Sequence, residues 1–307
     1  MIESSETFER WYVMICFEEL QLRDSERLYP FFERFKRHIC DFTVGGLMMW
    51  RGWYRTQVAI EDDTLYIRAF VNGETQFTFL GPDEIHAVAR IMEHCDQTGE
   101  HFELCSITQR VLERINSYYR LNAEPQRDLF DYVYDADSMI SLSGRQYNGQ
   151  RNHINRFKRS FPDWTFEEIS DENLDTVIAF YTEYKSERLK AFEAAEEESS
   201  KVIEALSNFN VYHLYGGILK VGDNIVGISL GETVGDMMFV HVEKALTEYN
   251  GVYPMLTNCF ASHFRTPQVV YINREEDEGD LGLRTSKLSY HPLLLKEKYK
   301  VTLLDPK

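Results

Sequence analysis

One order of secondary-structure elements, predicted twice along the chain, limits this sequence to few folds. Each copy reads helix, three-strand meander, helix, strand, with turn residues such as Asn72-Gly73 and Gly222-Asp223 inside the meanders. The first copy is predicted at residues 28–40, 54–60, 65–71, 75–80, 81–95, 102–106, 108–119 and 129–134. The second is predicted at residues 171–189, 191–207, 211–221, 224–231, 236–242, 251–264, 269–273, 279–288 and 299–304. The pattern predicts an α/β chain with mixed sheets, built from two similar domains at residues 1–150 and 151–307.

Charge and hydropathy exclude several classes of protein. The net charge of -17 and the isoelectric point near 5.0 repel nucleic-acid phosphates, so we predict no DNA binding and no broad RNA footprint. No run approaches the roughly 20 apolar residues of a membrane helix. Acids precede the first apolar patch at the N-terminus, unlike in a signal peptide. We therefore expect a cytoplasmic protein without an integral membrane segment.

Metal binding is not predicted from the cysteines and histidines. Five cysteines are spread along the chain without a Cys-x-x-Cys pair, which predicts reduced and mostly buried thiols. His241 and Glu243 alternate on a predicted strand and share one face, but two residues do not make a metal site. Glu243 is instead a candidate general base for an attacking amine, with a half-exposed strand acid as the alternative.

A basic segment without acids, GRQYNGQRNHINRFKRS at residues 144–160, lies at the predicted domain junction. On a helix, Asn152, Asn155 and Arg156 share one face, and Arg151 adds a further cation. Because arginine binds phosphate and carboxylate groups through paired hydrogen bonds, these four residues are candidates for holding an anionic ligand between the domains. The alternative is a linker helix held on an acidic surface by ordinary ion pairs.

A second charged segment, YINREEDEGDLGLRTSKLSYHP at residues 271–292, follows a predicted buried strand. Open α/β folds bind ligands where strands end. We therefore predict substrate contacts for four of its residues, Asn273, Arg274, Asp277 and Arg284. The alternative is a solvated loop whose acids precede a helix N-terminus.

The end of the same segment offers candidate catalytic groups. Lys287 lies three residues after Arg284, so the two are neighbours on one helix face. Tyr290 or His291 is a candidate proton donor or acceptor, since histidine titrates near neutral pH. Alternatively, Tyr290, His291 and Pro292 only end the helix, because proline disfavours a helical conformation in the residue before it.

In these two charged segments and in its order of elements, the chain resembles a bacterial protein family. That family is similar to the C-terminal domain of phosphatidylglycerol lysyltransferases and, more distantly, to the Fem-type peptidyltransferases. The resemblance covers nearly the whole chain and implies two tandem GNAT acyltransferase folds. It also implies a role for Lys287, which matches the lysine that such sequences carry before an aromatic-Pro stop. That lysine is expected to stabilise charge on a phosphate or a developing oxyanion.

The same resemblance singles out the segment EKALTEYNGVYPMLTNCF, residues 243–260. In a GNAT domain the pyrophosphate of an acyl carrier lies at the N-terminus of the helix after the meander. The candidate cofactor-binding residues are therefore Asn250, Gly251, Val252 and Tyr253. The usual pattern begins with a basic residue or Gln and ends with a small residue, whereas this chain has Glu248 and Tyr253 there. These departures favour aminoacyl-tRNA over acyl-CoA as the donor.

Together these observations predict an acyl- or aminoacyl-transferase that uses direct attack of an amine or hydroxyl on an activated ester. Catalysis would come from positioning and oxyanion stabilisation, and tRNA contacts would be confined to the acceptor end. The alternative function is a non-catalytic GNAT-like module that binds a small anion in the cleft between the domains. The sequence leaves the acceptor and the oligomeric state open.

Overall fold

The computed structural model describes residues 14–188 and 193–304, with side chains described outside 187–199. Its helices are α1 Ser25–Phe35, α2 Val44–Trp50, α3 Glu84–Thr98, α4 Gln109–Asn116, α5 Ala136–Ser141, α6 Asn148–Ser160, α7 Leu174–Arg188, α8 Glu193–Ser207, α9 Val252–Phe264 and α10 Leu281–Leu288. Its strands are β1 Glu18–Glu19, β2 Gln57–Glu61, β3 Thr64–Val71, β4 Glu74–Leu80, β5 Glu103–Thr108, β6 Leu121–Pro125, β7 Asp131–Asp135, β8 Trp164–Glu168, β9 Tyr215–Val221, β10 Asn224–Val234, β11 Met237–Ala245, β12 Tyr271–Asn273, β13 Leu294–Lys296 and β14 Lys298–Leu303. Residues 1–13, which bear on the signal-peptide prediction, and the predicted helix start at 191 lie outside the described residues.

The strands form two sheets of the same plan, each with seven strands in the described chain. Their orders are β1-β2-β3-β4-β5-β14-β6 and β8-β9-β10-β11-β12-β7-β13. In each sheet a meander leads through one helix, α3 or α9, to a parallel neighbour of its last strand, while the other pairs are antiparallel. The predicted mixed sheets and the predicted repetition of elements are confirmed.

The sheets exchange their sixth strands. Strand β7 comes from the first half of the chain but pairs with β12 and β13 in the second sheet. Strand β14, near the C-terminus, returns to the first sheet and pairs with both β5 and β6. Each sheet therefore contains strands from both sides of residue 150. That the two predicted domains are separate folding units remains a prediction.

Three apolar cores hold the molecule together. One lies between the first sheet and helices α3 and α4, and another between the second sheet and helices α5, α6 and α9. The third joins residues of both halves, including Phe32 of α1, Met48 of α2 and Phe239 of β11, each almost fully buried. Because this core is shared, the inner surfaces of the two halves face one another.

The parallel pair in the second sheet separates before the end of β11. Strand β12 pairs with β11 only over a short stretch, in which Met237 lies opposite Tyr271 and Phe239 lies opposite Asn273. Strand β11 continues beyond this stretch to Ala245. Beyond residue 239, β11 has no paired strand on that side among the described residues, and a gap opens between β11 and the loop after β12. This gap brings His241 and Glu243 opposite the charged segment that starts at Arg274.

Candidate functional site

A cavity of about 1860 Å3 lies between the inner surfaces of the two halves and includes the gap after β12. The first sheet contributes apolar side chains of β3, and the end of α2 and the turn after it contribute Trp50, Trp53 and Tyr54. Strand β11, the loop after β12 and the N-terminus of α9 form the opposite wall. The cavity is large enough for a small-molecule substrate or the end of a larger donor.

Arg274 lines this cavity and has hydrogen-bond donors without a partner among the described residues. Its side chain, 10% exposed, donates through Nη2 to Glu243 Oε2 at 2.5 Å, and its guanidinium lies 5.0 Å from the centre of the Tyr290 ring. Its buried Nε and Nη1 have no hydrogen-bond partner among the described residues. Because buried donors without partners are costly, these two groups point to a ligand that carries acceptor oxygens.

Lys287 and Tyr290 line the same part of the cavity. The Lys287 ammonium donates to the backbone carbonyl of Glu276. Burial lowers the pKa of Lys287, and the positive charge of Arg274 lowers it further. Burial raises the pKa of Tyr290 to about 12, so its phenol stays protonated at neutral pH. Tyr290 is therefore a hydrogen-bond donor beside Arg274, and Lys287 is a candidate for giving up a proton there.

Glu243, the predicted general base, also lines the cavity, but its carboxylate is already occupied. One oxygen accepts from Thr257 Oγ1 at 2.6 Å and the other accepts from Arg274. In this arrangement Glu243 orients Arg274, and its predicted role as a base stays a prediction.

The N-terminus of α9 brings all four predicted cofactor-binding residues, Asn250, Gly251, Val252 and Tyr253, to the cavity wall. Gly251 has a left-handed backbone, with φ of 89°, and a side chain there would lie 2.4 Å from the carbonyl oxygen of His153. Tyr253 turns back toward β11, where its hydroxyl accepts from the Ala245 backbone N–H at 3.3 Å. The entrance to the helix N-terminus is therefore closely packed.

An acidic cluster around one buried lysine forms another part of the wall. Lys298 Nζ lies 2.5 Å from Asp41 and 2.7 Å from Asp131. It also lies 3.5 Å from Glu276 and 3.3 Å from Cys40 Sγ. Potential metal-ligand atoms of Cys40, Asp131 and Glu276 lie within 4.8 Å of one another. The lysine contacts all three, so the chain itself supplies the positive charge that these groups require.

The basic helix α6 borders the cavity through residues other than the predicted ones. Its cavity-lining residues are Gly149, Gln150 and His153. The predicted anion-binding residues Asn152, Asn155 and Arg156 are exposed and are not among the residues that line this cavity. Ile154 and Phe157 set the rotation of α6, because both are buried in the core beneath it. Periodicity identified the helix but not which side meets a ligand.

Arg151, the fourth predicted residue of α6, is occupied by its own turn. Its guanidinium donates to the backbone carbonyls of Leu142 and Gly144 and to the side chain of Asn148. These bonds fix the turn that precedes α6. The predicted clamp of four anion-binding residues on this helix is not assembled in the structure.

Asn273 and Asp277 hold the loop after β12 instead of lining the cavity. Asn273 is fully buried, and its amide donates to Asp131 at 2.7 Å while its oxygen accepts from the Glu275 backbone N–H at 2.7 Å. Asp277 is also fully buried and accepts from Tyr132 at 2.5 Å. The substrate contacts predicted for these two residues are not supported by their positions.

Arg284 and His291 also lie away from the described cavity wall. Arg284 forms ion pairs with Asp277 at 2.6 Å and Asp128 at 2.7 Å. His291 is exposed, with Nε2 3.2 Å from the Gln146 backbone oxygen. Arg284 holds the buried Asp277 carboxylate in place, since hydrogen bonds from this arginine and from Tyr132 outweigh burial and depress the pKa of Asp277 far below its usual range.

A buried histidine between two carboxylates is the part of the site that the sequence did not assign. His241 Nε2 lies 2.9 Å from Glu232, and His241 Nδ1 lies 2.7 Å from Glu275. The only sequence signal was the alternation of His241 and Glu243 on one strand face. Glu232 lies nine residues earlier on β10 and reaches His241 only through the pairing of β10 with β11.

The repeated meander, crossover helix and parallel strand define the chain as a tandem GNAT-fold protein, the fold class of acyltransferases. The chain belongs to the family described as phosphatidylglycerol lysyltransferase, C-terminal, whose model matches residues 32–302. The structure is similar to that of a conserved protein of unknown function from Bacteroides thetaiotaomicron, with 31% identity, a TM-score of 0.86, and 95% of this chain and 100% of the other covered. The suspected family is confirmed.

More distant likenesses agree with the fold. The C-terminal domain of a putative lysylphosphatidylglycerol synthetase from Agrobacterium fabrum is 13% identical, with a TM-score of 0.66 and 91% of each chain covered. FemX is 8% identical, with a TM-score of 0.57 and coverage of 95% of this chain and 98% of the other. A curated relative, an uncharacterized protein of Mycoplasmoides gallisepticum, is 23% identical over 188 residues, 57% of this chain and 56% of the relative. Within the described ranges, no helix has both the length and the apolar character needed to cross a bilayer.

Proposed function

We propose that this protein transfers an aminoacyl group from an ester donor to an amine or hydroxyl acceptor in the cavity between its two halves. The observation that carries the proposal is Arg274, whose buried Nε and Nη1 lack partners among the described residues beside the ammonium of Lys287. Membership of a lysyltransferase-domain family with a transferase fold supports a transfer reaction. The aminoacyl ester as donor and the amine or hydroxyl as acceptor are the parts that we propose.

In the proposed reaction the acceptor attacks the ester carbonyl directly, and negative charge develops on the carbonyl oxygen. The unused N–H groups of Arg274 would donate to that oxygen, as an oxyanion hole does. As the ester C–O bond breaks, Lys287 would give a proton to the leaving hydroxyl and then take up the proton that the acceptor loses, and its lowered pKa makes this exchange easier. Glu243 would keep Arg274 aimed at the carbonyl through their 2.5 Å ion pair.

Packing at the N-terminus of α9 supports an aminoacyl-tRNA donor over acyl-CoA. The resemblance to GNAT domains implies that the CoA pyrophosphate would need this N-terminus. Here the hydroxyl of Tyr253 pairs with Ala245, and Gly251 packs against α6. The equivalent helix of the first half, α3, is capped by Asp83, which accepts from Ile85 and His86 at 3.1 Å. An acid at that position disfavours an anion there too.

Single-turnover transfer from radiolabelled aminoacyl-tRNA tests the proposal, with hydroxylamine as a small nucleophilic acceptor and acetyl-CoA as a parallel donor. Lys287→Ala is expected to slow transfer about 100-fold or more, since loss of a general acid has an effect of this size. Lys220→Ala is the matched control, because Lys220 is paired with Glu167 outside the described cavity wall.

Three results would contradict the proposal in different ways. Transfer at the wild-type rate by Lys287→Ala would remove Lys287 from the site. Preference for acetyl-CoA would show that Tyr253 moves aside for the carrier. Binding of aminoacyl-tRNA without transfer in the wild type would favour the non-catalytic module.

A further inference from the structure

Glu275 is held in a strained backbone conformation at the cavity wall. Its φ of 57° lies in the left-handed region, which residues other than glycine seldom occupy. Its backbone N–H donates to Asn273 Oδ1 at 2.7 Å, and its carbonyl accepts from the Tyr132 N–H at 3.1 Å. Such strain persists where neighbouring groups enforce it, and it is concentrated at functional sites.

The Glu275 side chain is fixed as firmly as its backbone. Its Oε1 lies 2.7 Å from His241 Nδ1, and the other ring nitrogen lies 2.9 Å from Glu232. The side chains of His241 and Glu232 are each 1% exposed. Burial alone would lower the pKa of His241, but hydrogen bonds to Glu232 and Glu275 outweigh it and raise the pKa to about 10. His241 is therefore an imidazolium that holds two carboxylates.

Glu232 ties this arrangement to the first half of the chain. Its carboxylate accepts from the backbone N–H groups of Val44 at 3.2 Å and Gly45 at 2.5 Å. These residues form the first turn of α2, where unpaired N–H groups favour a negative charge. The buried charge of Glu232 is thereby neutralised from both sides, and Glu275 is left as the only exposed member of the three.

The second carboxylate oxygen of Glu275 is unused. Only Oε1 has a hydrogen-bond partner among the residues that the structure describes, and the side chain is 24% exposed at the cavity wall. Glu243, which faces the same gap, has both oxygens occupied. The adjacent Arg274 independently points to a ligand here through its unpartnered N–H groups.

We propose that Glu275 binds the primary ammonium group of a substrate through Oε2, and that Glu232 and His241 are positioning residues that aim it. This inference rests on the proposed function and deepens it. The ammonium would belong either to the free α-amine of the aminoacyl donor or to an acceptor that carries an ammonium group in addition to its attacking hydroxyl. A carboxylate accepts a short, charge-assisted hydrogen bond from either source, while Arg274 binds the neighbouring oxygen.

Two pairs of probes separate these sources. The donor pair is 3′-alanylamino-3′-deoxyadenosine, an amide that does not transfer its acyl group, and its propionyl counterpart without the α-amine; binding is measured by calorimetry. The acceptor pair is ethanolamine and ethylene glycol, compared by KM and kcat in aminoacyl transfer. Glu275→Gln keeps the shape of the side chain and removes its charge.

In one of the two pairs, Glu275→Gln is expected to weaken binding of the amine-bearing probe about 10-fold or more. Binding of the probe without the amine in that pair should be unchanged. His241→Gln should act in the same direction, with the effect in Kd or KM and with little change in kcat. His263→Gln is the control, since His263 pairs with Glu168 at 2.7 Å on the surface. A thermal melt checks that each variant is folded.

The inference is overturned if folded Glu275→Gln treats both amine-bearing probes as the wild type does. Binding of both donor analogues by the wild type, with no effect of this substitution, would remove the ammonium site and leave the proposed transferase intact. Failure of the wild type to bind either analogue or to transfer to either acceptor would overturn the proposed function and this inference together.

Discussion

Lys298 shows how a single residue joins distant parts of the chain. It is 2% exposed, on a strand near the C-terminus, and forms ion pairs with Asp41, Asp131 and Glu276 from three other segments. Burial raises the pKa of Asp131 to about 6 against the opposing effect of Lys298, so this carboxylate is ionised at neutral pH only because the ammonium is near. Removing the lysine would leave uncompensated negative charge in the interior.

Lys298→Met is therefore expected to lower the free energy of unfolding by about 3–5 kcal/mol, the cost of breaking a buried ion pair from one side. Urea denaturation followed by circular dichroism measures the change. Lys220→Met is the control, because it removes an ion pair at the surface and should cost less than about 1 kcal/mol. Equal stability of the two variants would show that the acids around Lys298 are protonated or hydrated.

The sequence located the charged segment after β12 but did not distinguish its ligand-facing residues from its structural ones. Arg274 and Lys287 line the cavity, whereas Asn273 and Asp277 point into the protein. The difference depends on partners far away in sequence, such as Tyr132, which donates to Asp277. Spacing along one segment carries no information about such partners, so it identified the place and not the individual roles.

At the scale of elements, the meanders and their crossover helices were predictable because alternation, turn residues and caps are local signals. Helix α2, with sequence VGGLMMW, was not predicted, since two adjacent glycines disfavour a helix. Strand β6 was also missed, as it contains charged and proline residues and lies at a sheet edge. Tertiary contacts stabilise both elements, and in α2 they explain the glycine at position 45.

Gly45→Ala is expected to destabilise the protein by about 1–3 kcal/mol, as overpacking does. A β-carbon at residue 45 would lie 2.7 Å from Glu232 Oε1 and 2.8 Å from His241 Nε2, so α2 would have to move away from the buried carboxylate. Chemical denaturation measures the loss. The same substitution should weaken binding of the amine-bearing probe, because it displaces the groups that aim Glu275.

Gly52→Ala is the matched control for Gly45→Ala. Gly52 lies just after α2, and a β-carbon there would meet nothing within 4 Å. We expect it to leave stability and ligand binding unchanged or to stabilise the protein slightly by restricting the unfolded chain. A Gly45→Ala variant as stable as Gly52→Ala would mean that the first turn of α2 is not held against Glu232.

At the scale of the whole molecule, the exchange of β7 and β14 makes each half depend on the other. The sequence predicted two similar halves because their elements recur in the same order. It did not predict the exchange, since strand pairing between distant segments leaves no local pattern. The exchange places the cavity between surfaces that are linked by strands as well as by a shared core.

Cutting the chain at residue 150, which also removes the start of α6 from the second fragment, is therefore expected to give two fragments that do not fold alone. Fragment 1–150 lacks β14, so β5 and β6 lose the strand that joins them, and fragment 151–307 lacks β7, which joins β12 to β13. Each fragment would expose unpaired strand edges and should aggregate or remain unfolded. Mixing the two under refolding conditions should give one complex with cooperative unfolding.

The folding of each fragment and of the mixture is measured by circular dichroism, size-exclusion chromatography and urea denaturation. A control chain cut in the β2–β3 turn between Asp62 and Asp63 tests whether any break has the same effect, because that cut separates neighbouring strands but leaves β7 and β14 in one fragment with the strands that they join. Cooperative unfolding of fragment 1–150 alone would show that the first sheet forms without β14. The two halves would then be independent domains as the sequence predicted, and the exchanged strands would serve to join them instead of to complete them.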